Sequence, residues 1–364
     1  MKLNSISLFT IGVISAATAL AQPAETILTQ GKIISANEKE NIFQAMAIRD
    51  GKIVALGKST DMKSWQGPNT QVIDLKGKTV IPGLIDSHIH AIRAALSYSK
   101  EVHWFGLTSI DEALGKLKQA AAQAQPGEWL IVAGGWTEEQ FKEGRRPTQE
   151  ELIQAAPNNP VYVQWMYEWV MLTPAAYKVL NIQSESDLPG GGKFQLDANG
   201  KHTGAILGGI VPLFDKLPKP TFEDKVTGTQ KFFSELNRVG VTGLIDPGGF
   251  NMAPSEYAPL FNVWRNNKLT VRVNYSYFAQ KRNKEFEEFK ELTQLLPMKF
   301  GDDMLRFNGI GERVTFSMYN NDKATPEDQA KFYEVARWAA QRSHRRIFMP
   351  MLCERVTILS GPAR

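Results

Sequence analysis

Val80-Ile81-Pro82-Gly83-Leu84-Ile85-Asp86-Ser87-His88-Ile89-His90 is the stretch that decides the fold. It runs an apolar strand straight into a His-x-His pair. Side chains alternate along an extended chain, so His88 and His90 project to one face, and Asp86 joins them. Two imidazoles side by side at a strand end make half of a metal site. The chain has 5 histidines among its 364 residues, which makes an accidental His-x-His the weaker explanation.

Working outward, the same alternation continues downstream. Apolar runs at 79–85, 129–134, 160–165, 241–246, 270–277 and 304–310 are interleaved with helical stretches at 108–124, 222–239, 284–296 and 325–342. That pattern predicts an α/β fold whose parallel sheet is built of βαβ units, either open or closed into a barrel. Residues 189–206 read as a hairpin excursion on the surface. Upstream, residues 22–78 read as a small antiparallel β module, with Asp50-Gly51 as a hairpin turn between AMAIR and KIVALG.

Residues 1–21, MKLNSISLFTIGVISAATALA, have the three parts of a secretory signal peptide: one cation, an apolar run and a small-x-small triplet ending at Ala21. Cleavage is expected before Gln22, with export to a periplasm or secretion. The competing reading is a membrane anchor, for which the run is short. No other stretch approaches a spanning length, so no membrane role is expected beyond export.

Lys+Arg number 42 against 38 Asp+Glu, a formal charge of +4. The excess sits at the two ends. Lys2 is in the leader, and Arg345, Arg346, Arg355 and Arg364 face only Glu354 after residue 343. The body between is formally neutral, which argues against nucleic acid or anionic lipid as partners. The single cysteine, Cys353, excludes an intramolecular disulfide framework. A nucleotide-binding reading of Gly190 to Lys193 fails, because Phe194 stands where a hydroxyl is needed. No G-x-S-x-G elbow is present either, so a serine hydrolase is not expected.

The chain resembles the metal-dependent amidohydrolase superfamily, and within it the large exported amidohydrolase group. The resemblance is carried by Ile48 to Gly57, by VIPGLIDSHIH, and by AGGW at Ala133 to Trp136. LDANGKHTGAIL at Leu196 to Leu207, GVTGLIDPGG at Gly240 to Gly249 and LRFNGIGE at Leu305 to Glu312 add to it. It implies a (β/α)8 barrel of the TIM type flanked by a β-sandwich. It also implies one or two divalent metal ions, usually zinc, and hydrolysis of an amide or related C–N bond of a small-molecule substrate by a metal-activated water. His88 and His90 are the implied metal ligands.

The remaining ligands are harder to assign. Arg306 stands on the strand that would carry a bridging lysine and cannot replace it, since guanidinium stays protonated. Glu312 is either a bridging carboxylate or a solvated loop acid. Asp246 is either a catalytic pocket carboxylate or a turn cap before Pro247-Gly248. Trp136 is a candidate substrate contact, although packing explains it, and Trp169, equally well. His103 and His202 read as structural or surface residues. His344 falls where relatives place a turn, and the pattern ends at about residue 342 in a basic tail, 343–364. The expectation is therefore a partial barrel over 79–342 in a truncated or frameshifted product. Two functional classes remain open: a C–N hydrolase, and a non-catalytic exported fragment or binding protein derived from one. Neither substrate nor oligomeric state is set by the sequence.

Overall fold

The computed structural model describes residues 22–37, 39, 41–318 and 324–342. Residues 1–21, read above as a signal peptide, and His344, Cys353 and the rest of 343–364 lie outside these residues. Two compact units divide at Gly83 and Leu84.

The first unit contains seven strands: β1 (Thr26–Thr29), β2 (Lys32–Ile34), β3 (Ile42–Phe43), β4 (Ala45–Arg49), β5 (Lys52–Gly57), β6 (Gln71–Asp74) and β7 (Thr79–Val80). They form a four-stranded sheet, β5-β4-β1-β6, and a three-stranded one, β3-β2-β7. The β4–β5 hairpin turns at Asp50 and Gly51, both at positive φ, as a two-residue turn between right-twisted strands requires. Ile27, Ala45, Ala47 and Met62 form its core.

The run read as one strand at 79–85 is two. Thr79–Val80 pairs with β2 in the first unit, while β8 (Leu84–Asp86) belongs to the second. Between them stands Pro82, which has no N–H to give to a ladder.

The second unit holds β9 (Leu130–Val132), β10 (Val161–Trp165), β11 (Trp169–Leu172), β12 (Lys193–Leu196), β13 (His202–Leu207), β14 (Val241–Asp246), β15 (Arg272–Tyr277) and β16 (Leu305–Ile310). Its helices are α1 (Ala91–Tyr98), α2 (Ile110–Gln123), α3 (Gln149–Ala155), α4 (Pro174–Leu180), α5 (Ile210–Phe214), α6 (Phe222–Arg238), α7 (Ala258–Arg265), α8 (Glu285–Leu295) and α9 (Pro326–Arg342). None of the described helices is long and apolar enough to cross a membrane.

The fold is α/β, but the strands do not form one sheet, and no closed barrel is present among the described residues. β8, β14, β15 and β16 form a parallel four-stranded sheet in that spatial order. The chain between β8 and β14 instead builds a separate mixed sheet, β12-β13-β11-β10-β9. Residues 129–134 and 160–165 belong to that second sheet, so the expectation of a single βαβ series is corrected. The segment at 189–206 is not a surface excursion either: β13 pairs antiparallel with β11 inside the sheet. The reason is that a fully apolar run states that a strand is buried and not which neighbour it joins.

The parallel sheet is held by a core in which Phe233, Phe289 and Phe307 are each 1% exposed or less. Burying each such ring contributes roughly 2–3 kcal/mol. α1 and α6 pack against one another over this sheet so tightly that a Cβ on Gly228 would meet the Ala95 carbonyl at 2.3 Å. α6 itself begins at a capping box, Thr221 with Asp224.

Candidate metal centre

The carboxyl ends of the parallel strands point at one place, as the direction of a parallel sheet dictates. β8 ends at Asp86, and the chain leaves it in a bend whose shape is set by hydrogen bonds. The His88 N–H donates to Asp86 Oδ1 at 3.0 Å, and the Ile89 N–H donates to the Ile245 carbonyl at 3.1 Å. His88 and His90 are thereby brought together, with ring centroids 5.7 Å apart and planes nearly perpendicular. Glu312 arrives from beyond β16. Gly311 N–H donates to the Tyr277 carbonyl and Glu312 N–H to that of Pro247, which fixes the loop that carries the carboxylate.

His88 Nε2 lies 3.1 Å from Glu312 Oε2, and His90 Nε2 lies 3.6 Å from Oε1. One ligand atom from each of the three residues falls within 4.8 Å of the others. The Glu312 side chain is 11% exposed, and its Oε2 has no hydrogen-bond donor directed at it among the described residues.

The protonation pattern follows from the partners. His90 Nδ1 lies 2.5 Å from the Gly248 carbonyl; a carbonyl only accepts, so Nδ1 carries the proton and Nε2 presents a lone pair. Burial lowers the His90 pKa, the Glu312 charge opposes this, and the Arg93 charge adds to the lowering. The neutral ring is thus favoured. The His90 Nε2 lone pair and the Glu312 carboxylate face one another, which is mutually repulsive unless a cation sits between them. The residues present therefore fit a divalent metal bound by two nitrogens and one oxygen.

Asp246, the last residue of β14, is 2% exposed and is not among the converging ligand atoms. Its Oδ2 accepts from the Ile92 N–H and its Oδ1 from the Gly248 N–H, both at 2.8 Å. It serves as a cap at two places, the first turn of α1 and the turn after β14. Burial pushes its carboxyl up to about 7, against these two hydrogen bonds. Through Gly248 it holds the carbonyl that orients His90. Gly248 itself must be glycine: φ is +83° and a Cβ would stand 2.6 Å from Phe278 Cβ.

Trp136 is 6% exposed, packs on Trp104, Phe141 and Trp169 and donates its Nε1–H to the Gln164 carbonyl at 2.9 Å. It lies in the core of the mixed sheet's face, so a direct substrate contact is not what the structure gives it. Trp169 is likewise buried and donates to Gln195. Arg306 pairs with Asp303 near the start of β16, away from the carboxyl end. His103 stacks on Tyr98 with centroids 3.9 Å apart, and His202 packs against Phe194 and Tyr177. Both histidines are remote from His88 and His90 in the hydrogen-bond pattern. Sequence reading did not single out Arg93 and Gly248. Arg93 stands three residues after His90 in the first turn of α1, and that spacing was the available signal.

These features define an α/β protein with a candidate divalent-metal centre at the carboxyl ends of parallel strands. The amidohydrolase family model matches residues 71–345, and the chain belongs to that family. Over 230 residues it is 31% identical to Protein LONG AFTER FAR-RED 3 of Arabidopsis thaliana, a match covering 62% of this chain and 39% of that one. Over 234 residues it is 27% identical to the N-substituted formamide deformylase of Arthrobacter pascens, covering 62% and 43%. The chain thus spans about two fifths of the length of these relatives. Among solved structures it is similar to an uncharacterized metal-dependent hydrolase from Pyrococcus furiosus, with a TM-score of 0.51 at 20% identity, covering 78% of this chain and 55% of that one. That likeness concerns the fold.

Proposed function

We propose that the protein is a metal-dependent hydrolase of amide-type C–N bonds other than peptide bonds, with zinc as the metal. The observation that carries this reading is the convergence of His88 Nε2, His90 Nε2 and the Glu312 carboxylate within 4.8 Å. Two imidazoles and one carboxylate are a donor set that suits zinc. A divalent metal bound there supplies Lewis acidity toward a carbonyl and lowers the pKa of water.

The chain's own residues do the rest. His90 is held in the ligating tautomer by the Gly248 carbonyl, and Asp246 fixes that carbonyl by accepting the Gly248 N–H. Asp246 is thus a positioning residue, while Glu312 supplies the negative charge that balances a dication. The four parallel strands are read as part of a (β/α)8 barrel whose strand ends carry the site. With residues 1–21 as a signal peptide, the site would work in a periplasm or outside the cell.

The test is to measure metal content on the purified chain, beside hydrolysis of a panel of N-acyl amino acids and N-substituted formamides. The reading expects bound zinc and turnover that a chelator removes, with both lost in His88→Ala. A chain that retains no metal and hydrolyses nothing when metal is added contradicts it.

A further inference from the structure

Arg93 is a cation in a place that local structure does not favour. It sits in the first turn of α1, where the helix dipole is positive and a positive side chain is unfavourable. It has no carboxylate within ion-pair distance among the described residues; its polar partner is the phenol oxygen of Tyr167, to which Arg93 Nη2–H donates. The guanidinium also lies 5.7 Å from the centre of the Tyr167 ring. Arg93 Cδ and His90 Nδ1 are both 3.7 Å from the point where a Gly249 Cβ would stand, so the Arg93 side chain runs beside the metal-ligating ring.

Tyr167 is held in place by a buried network. It belongs to the three-residue turn between β10 and β11, where Trp165 pairs with Trp169. Met166 takes a φ of +51° there, a left-handed conformation that is unfavourable for a non-glycine residue. Gln164, 8% exposed, supports the turn from below. Its Nε2 donates to the Met166 carbonyl at 2.6 Å, its Oε1 accepts from the Tyr162 hydroxyl at 2.7 Å, and its own carbonyl accepts from Trp136. The result is a strained turn, anchored by core polar groups, that presents a 57% exposed tyrosine. Its hydroxyl oxygen accepts from Arg93, so its O–H remains to be donated.

We infer that Arg93 and Tyr167 form an anion-recognising subsite beside the metal centre, which selects amide substrates bearing a carboxylate, such as N-acyl amino acids, over neutral ones. A guanidinium with unused N–H groups and a phenol O–H are the donors that a carboxylate accepts from. Arg93 charge also adds to the positive character that a dication brings to the site, which favours an anionic ligand further.

The inference rests on the proposed hydrolase reading for its substrate, and its test is kept separate by measuring binding. Calorimetric titration of the zinc-loaded full chain compares an N-formyl amino acid with its methyl ester. The wild type is expected to bind the acid more tightly, by roughly ten- to a hundredfold. Arg93→Gln should erase most of that preference, Arg93→Lys should keep part of it, and Tyr167→Phe should lower it while keeping the ring. Equal binding of acid and ester by the wild type, or of neither, overturns the inference. So does an acid preference that survives in Arg93→Gln, which would assign it to the metal alone. Metal-dependent hydrolysis of neutral formamides with no acid preference would sink the subsite and leave the hydrolase reading standing. An Arg93-dependent acid preference without hydrolysis would do the reverse.

Discussion

Gly248→Ala tests whether the turn after β14 is as rigid as the site requires. Two costs can be worked from the structure. A φ of +83° is unfavourable for alanine by about 1–2 kcal/mol. The new Cβ would also stand 2.6 Å from Phe278 Cβ and 3.1 Å from the Phe278 nitrogen and the Ser276 carbonyl, an overpacking that costs about 1–3 kcal/mol in a closed core. Together these give roughly 2–5 kcal/mol, a large part of a typical domain stability. Gly127→Ala is the matched control, since Gly127 has φ +84° and nothing within 4 Å of a Cβ. It should show the backbone cost alone, about 1–2 kcal/mol. Urea denaturation of both variants separates the two contributions. Zinc affinity then reads the consequence: the Gly248 carbonyl orients His90, and disturbing such an outer partner weakens metal binding by roughly ten- to a hundredfold, whereas Gly127→Ala should leave it unchanged. If both variants lose the same stability and the same affinity, Phe278 gives way and the positioning argument is wrong.

Other outcomes follow from single residues. Burial pushes Glu101 up to about 7, so the folded chain keeps a proton that the unfolded chain releases above the ordinary carboxyl value. Stability should therefore fall as pH rises from about 4.5 to 7, and Glu101→Gln should reduce that slope by up to about 1.4 kcal/mol per pH unit, leaving the share due to Asp246. Urea midpoints at a series of pH values check this, and an unchanged slope refutes it. Gln164→Ala leaves the Tyr162 hydroxyl and Met166 carbonyl without their partner and should cost about 2–4 kcal/mol in thermal or urea unfolding; a loss below half a kcal/mol would show the network to be dispensable. Glu312→Gln should weaken zinc binding at least roughly tenfold, measured by competition with a chromophoric chelator, and wild-type affinity would remove Glu312 from the ligand set.

Much of the fold was legible because its signals are local. The helices at 222–239 and 325–342 were placed within a residue or two of α6 and α9. The apolar runs became strands at nearly the positions read. Sheet membership was not legible, because Leu130–Val132 and all of Val161–Trp165 but its last residue are buried and such runs carry no face preference. Trp169–Leu172, buried along its length, was not recognised as the strand that draws them into a mixed sheet. At the site, the spacing of His88 and His90 was sufficient to place two imidazoles side by side. Glu312 lies 222 positions beyond His90 in the chain, and only the parallel register of β8, β14, β15 and β16 brings it near. Of the two roles considered for Asp246, capping is the one the structure displays, since both of its oxygens accept backbone N–H groups. Arg93 escaped notice because a lone arginine on a helix usually serves solubility; what distinguishes it is a three-dimensional fact, the absence of an acidic partner among the described residues.

The most direct test of the metal centre is a crystal structure of the zinc-loaded chain with anomalous data collected on both sides of the zinc absorption edge. The account predicts an anomalous peak bonded to His88 Nε2, His90 Nε2 and a Glu312 oxygen, at distances of about 2.0–2.2 Å. A peak elsewhere on the surface, with these three side chains unligated in the zinc-loaded protein, would contradict it.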